Sequence, residues 1–86
     1  MAVSTVIYSE LENRALVAIY TEISLRRYCE LSHVEVAARA GVSRSTVRKA
    51  IIKAEKAGEL LVARRVGEGD TNHIRLPKRQ VEKLDT

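Results

Sequence analysis

Residues 33–54 read HVEVAARAGVSRSTVRKAIIKA, and two short helices with a tight turn between them can be placed in this stretch residue by residue. Ser32 with Glu35 three positions later has the capping-box pattern that satisfies the free amides of a helix start. The helix it opens carries Val34, Ala37 and Ala38 toward Gly41, whose freedom at positive φ makes it a helix stop. Ser43 can cap a second helix, in which Val47, Ala50, Ile51 and Ala54 fall on one narrow arc at about 100° per residue. That helix is expected to end at Gly58.

The spacing within the stretch is that of a helix-turn-helix, two helices that cross closely at a steep angle. Ala37 supplies the small side chain at the crossing, and Gly41, four residues later, permits the left-handed turn. Val36, Ala40, Val42, Val47 and Ala50 occupy the offsets that must face the core. The second helix of such a unit lies in the DNA major groove with its N-terminal residues at the base edges. Here those residues are Arg44, Ser45, Thr46, Arg48 and Lys49. Arginine can donate two hydrogen bonds to guanine O6 and N7, so Arg44 and Arg48 are the base-reading candidates. Ser43, Ser45 and Thr46 have short hydroxyls suited to phosphate or base-edge bonds, and Lys49 and Lys53 suit phosphates as flexible point charges. Ser43 also has a purely structural reading as a cap, and Lys53 and Lys56 equally read as a solvated helix face.

Working outward, Ser9 and Glu12 repeat the capping box and open an earlier helix, with Leu16, Ile19, Tyr20 and Ile23 on its buried face and an end near Tyr28. Residues 60–66 are rich in aliphatic and β-branched side chains, residues 67–72 are turn chemistry, and residues 73–76 alternate polar and apolar. This predicts a β-hairpin closed by Pro77, with residues 78–86 as a tail. Residues 3–8 are expected to add a short strand to the hairpin or to serve as a contact between copies. The fold class is therefore α+β: three helices followed by a β-hairpin wing, a winged helix-turn-helix spanning residues 1–86 as one domain. On the wing, Arg64, Arg65, Gly67, Gly69, Asn72 and Arg75 are the candidates for DNA contact, because glycines let the backbone approach a sugar-phosphate chain and arginines pair with it. Ile52 reads either as packing beneath the wing or as a contact to a thymine methyl.

Charge distribution supports a polyanionic partner. The 86 residues carry a net charge of +4, but residues 1–38 have three bases against five acids, whereas residues 39–65 have eight bases against Glu55 and Glu59. A local positive field is what phosphate binding needs. No apolar run approaches the roughly 20 residues that span a bilayer, and no secretory or transit signal is readable, so a cytoplasmic protein is expected. One cysteine, Cys29, with the separated histidines His33 and His73 is too small a ligand set for a structural zinc site; no metal and no cofactor are expected. The three are assigned structural or surface roles, and the chain is read as having no enzymatic function.

Residues 37–50, AARAGVSRSTVRKA, together with Gly58, Arg64, Arg65 and the Gly67-Glu68-Gly69 tip, resemble the DNA-binding domain of GntR-type regulators. The resemblance implies that Arg44, Thr46 and Arg48 contact bases and phosphates in the major groove while Gly67 and Gly69 form the wing tip. Residues 71–76, TNHIRL, are more similar to winged-helix modules of plasmid and phage replication proteins. The expected function is sequence-specific double-stranded DNA binding for transcriptional control, as a homodimer or in tandem. The alternatives are an origin- or partition-site module of a plasmid or phage protein, and a winged helix used for protein binding. With three tyrosines and no Phe or Trp, the chain offers few stacking platforms for RNA.

Overall fold

The computed structural model describes residues 7–64 and 72–77, with Arg64 and Asn72 described in their backbone only. Three helices, α1 (Glu10–Arg26), α2 (His33–Ala40) and α3 (Arg44–Lys56), precede a two-stranded antiparallel sheet of β1 (Leu61–Arg64) and β2 (Asn72–Arg75). This is a winged helix-turn-helix. The expected strand or contact at residues 3–8 lies outside the described residues apart from Ile7 and Tyr8, as do the tail and the wing tip.

Each helix start is fixed by a serine. Ser9 Oγ accepts from the Glu12 amide at 3.1 Å while Glu12 Oε1 accepts from the Ser9 amide at 2.9 Å, and Ser32 and Glu35 repeat the arrangement at α2. Ser43 Oγ accepts from the Thr46 amide at 3.2 Å and caps α3. The stops use the left-handed region. Gly41 has φ +71° and donates to the Ala37 carbonyl at 2.9 Å, a bond that the Val42 amide shares at 3.0 Å. α1 ends at Arg26, two residues short of the expected Tyr28, because Arg27 turns into the left-handed region at φ +72°.

The buried arcs converge on one core: Leu16, Ile19 and Ile23 of α1, Val36 and Ala37 of α2, Val47, Ala50, Ile51 and Ala54 of α3, then Leu60 and Ile74. In α2, Val34 is 50% exposed and Ala38 is also exposed, since the face of this short helix that meets α1 and α3 is set by Val36 and Ala37.

β1 and β2 pair in the register Leu61 with Arg75, Val62 with Ile74, Ala63 with His73 and Arg64 with Asn72. On its other side Ile74 makes an isolated antiparallel bridge to Cys29: the Cys29 amide donates to the Ile74 carbonyl at 2.7 Å and the Ile74 amide to the Cys29 carbonyl at 2.9 Å. The segment after α1 thus acts as a third, one-residue rung and anchors the wing to the helical body. Tyr28 stacks on His73 with ring centroids 5.0 Å apart, and His73 Nδ1 lies 3.2 Å from Glu30 Oε2, so side chains flank the same bridge.

Candidate nucleic-acid interface

α3 buries Val47, Ala50, Ile51 and Ala54, and the 3.6-residue period leaves Arg44, Ser45, Arg48, Lys49 and Lys56 exposed. At its start, Ser43 Oγ lies 3.1 Å from Ser45 Oγ and 2.9 Å from Thr46 Oγ1. The three hydroxyls expected to serve DNA therefore already form a local network around the cap, with Thr46 half-buried. Ser45 remains exposed on the outer side.

A cleft of about 450 Å³ separates the starts of α2 and α3, and His33, Ser43, Arg44, Ser45 and Arg48 line it. The sequence reading assigned His33 a structural or surface role. The tight turn at Gly41 folds the N-terminus of α2 back beside that of α3, which brings His33 to the two arginines ten and more residues away in sequence. The capping box at Ser32 was the only local signal that an α2 start lay there.

Ion pairing divides the cations of the described residues into two sets. Glu22, 8% exposed, accepts Arg39 Nη1 at 3.1 Å and Arg26 Nε at 3.2 Å. Glu12, 6% exposed, accepts Lys53 Nζ at 2.7 Å, and the same ammonium donates to the Ile7 carbonyl at 3.2 Å. The Lys53 hydrogen bond, followed by that from the Ser9 amide, holds the Glu12 carboxyl below the ordinary glutamate range against the opposing effect of burial. None of the ion pairs among the described residues engages Arg44, Arg48 or Lys49. Lys53 is thus separated from the residues with which the sequence grouped it: nine positions after Arg44, it lies about half a turn round the helix and faces α1.

On the wing, Arg75 is exposed and stands opposite Leu61 in the ladder. Arg64 and Asn72 form the last backbone pair before the tip. Arg65, Gly67 and Gly69 lie outside the described residues. Ile52 is half-buried, one turn beyond Arg48 and Lys49. Cys29 is fully buried, and desolvation pushes its thiol pKa up. No group of His, Cys, Asp and Glu among the described residues could hold a metal ion, and none of the described helices is long and apolar enough to cross a membrane.

This arrangement of three capped helices coincides with a family match over residues 9–57, from the α1 cap to the end of α3, to Sigma-70, region 4. The chain belongs to the Sigma-70 region 4 family. Region 4 is a helix-turn-helix DNA-binding region, and α2 and α3 are that unit here. The match ends before the hairpin, so the wing is an addition to the part that defines region 4 in this chain. Among solved structures, the PcaV transcriptional regulator from Streptomyces coelicolor, crystallised with its natural ligand, superimposes with a TM-score of 0.59 at 22% identity. That alignment covers 86% of this chain and 48% of PcaV, so the chain spans about half the length of that regulator. No curated protein sequence matches the chain. The region 4 match carries the helix-turn-helix and the PcaV likeness the winged fold; the narrower likeness to GntR-type domains rests on the sequence motif alone.

Proposed function

We propose that this chain is a sequence-specific double-stranded DNA-binding module of a transcriptional regulator, with α3 as the major-groove reader. The observation that carries the reading is that Arg44, Arg48 and Lys49 cluster at the exposed N-terminal half of α3 without an acidic partner among the described residues, while Arg14, Arg26, Arg39 and Lys53 are paired. Unneutralised cations at the leading end of such a helix are placed for bases and phosphates.

In this reading Arg44 and Arg48 contact base edges, Ser45, Thr46 and Lys49 contact the backbone or base edges, and Ser43 caps the reader. His33 joins them from α2 at the cleft wall. Arg64, Arg65, Gly67, Gly69, Asn72 and Arg75 of the wing approach the flanking duplex. Lys53 acts through Glu12, holding the angle of α3 on α1 rather than meeting a phosphate. A reader of this size discriminates modestly, so two copies act together, as a homodimer or in tandem.

Selection from a random duplex library tests the proposal. Enrichment of a short motif that Arg48→Ala abolishes is the expected result. An enriched palindrome supports a regulator acting in pairs, whereas direct repeats favour the origin- or partition-site role. Absence of any enrichment overturns sequence-specific reading and favours a protein-binding winged helix.

A further inference from the structure

The outer face of α1 is unlike that of the other helices. From Ala15 to Leu25 it holds a single charged residue, Glu22, and that one is turned inward. Val17 and Leu25 are 63% and 75% exposed. The polar residues between them offer little to water, because Thr21 Oγ1 donates to the Val17 carbonyl at 2.7 Å and Ser24 Oγ to the Thr21 carbonyl at 2.8 Å. An apolar helix surface with its hydroxyls satisfied within the helix has the character of a contact face. Beside it runs a groove of about 580 Å³ lined by Val17, Ala18, Thr21 and, from the end of α2, Ala40, with Glu10, Asn13, Arg14 and Arg39 as its polar part. Small residues at Ala18 and Ala40 let another helix approach closely.

Charge at the two ends indicates the occupant. The first turn of α1 exposes Glu10, which an exposed i,i+4 pair at 3.5 Å links to Arg14, and the cap at the other end exposes Arg27 beside Arg26, which pairs with Glu22. An antiparallel copy of the same helix sets each acidic end against the basic end of the other, with the helix dipoles also opposed. A twofold arrangement makes this contact self-complementary.

We propose that two copies of this chain associate through an antiparallel α1–α1 contact, Val17 and Leu25 of each copy seated in the groove of the other and Glu10 facing Arg27. α3 packs on the inner side of α1, so this contact leaves both reader helices uncovered. The proposal rests on the pairing of copies inferred above and supplies its surface.

Sedimentation equilibrium of the full chain across micromolar to near-millimolar concentration is the test. A reversible dimer is expected, and Val17→Glu with Leu25→Glu should weaken it at least tenfold. Glu10→Arg and Arg27→Glu should each weaken it, and the double exchange Glu10→Arg with Arg27→Glu should restore it. A dimer unaffected by any of these changes overturns the α1 surface while keeping the pairing; a monomer throughout overturns both. Circular dichroism melting of each variant separates loss of association from loss of folding.

Discussion

Lys53 Nζ of α3 lies 2.7 Å from Oε1 of Glu12, a carboxylate buried at the start of α1 and 41 residues away in sequence. The contact fixes one end of α3 to the helix on which it packs, and it engages Lys53 with a buried carboxylate although its side chain stays partly exposed. Substituting Lys53 by Met keeps the aliphatic stem but leaves the buried carboxylate, among the described residues, with only Ser9 as partner. A loss of about 1–2 kcal/mol of folding stability is expected, moderated by the partial exposure of Lys53. The salt dependence of DNA binding should keep its wild-type slope in Lys53→Met, whereas Lys49→Met should lower it by about 1. A lowered slope in Lys53→Met would return that residue to the phosphate contacts.

The same pair predicts how stability depends on pH. The folded carboxyl of Glu12 is held below its ordinary value of 4.5, mainly by Lys53. The unfolded chain therefore takes up the proton first on acidification, so the stabilisation is fully present above the unfolded pKa and is lost as pH falls through the lowered folded one. Thermal melting between pH 6 and pH 2 should show this as a falling midpoint, roughly within the acid range where carboxylates titrate. Glu12→Gln should be less stable at neutral pH and less sensitive over that window. An identical pH slope in the variant would remove Glu12 from the acid transition.

Arg48 and Lys49 are neighbours with different expected tasks. Arg48→Ala should cost about 1–3 kcal/mol on the selected site and relax preference at one base pair. Lys49→Ala should weaken selected and random duplexes alike. Competition binding with both duplexes distinguishes them, and equal losses for Arg48→Ala on the two would contradict base reading.

Gly41 tests the turn. Its φ of +71° suits glycine, yet a Cβ there would meet nothing within 4 Å. The cost of Gly41→Ala is therefore conformational and not a clash, about 1 kcal/mol, which lowers the melting midpoint by roughly 4–8 °C in a domain of this size. A midpoint within a degree of wild type would mean that the turn relaxes to another backbone geometry.

Local relations are legible in the sequence alone. A serine and a glutamate three positions apart interact within one turn, so Ser9 with Glu12 and Ser32 with Glu35 mark helix starts wherever the chain folds. The arc of Val47, Ala50, Ile51 and Ala54 follows from helical period alone. Short elements were less legible: α2 has only 8 residues, and within two turns Val34 and Ala38 fit the apolar pattern nearly as well as Val36 and Ala37. The Cys29 bridge was not legible, because one rung of sheet in a connection has no period.

The sequence by itself determined the order of the elements, the starts of the helices and the turn at Gly41, since each depends on residues within a turn or two of one another. Only the tertiary structure decided which charges remain to act. The basic segment from residue 39 to 65 loses Arg39 to Glu22 and Lys53 to Glu12, two carboxylates of the acidic segment that precedes it. An ion pair depends on distance through space, and packing α2 and α3 on α1 neutralises those two cations while leaving Arg44, Arg48 and Lys49 facing outward.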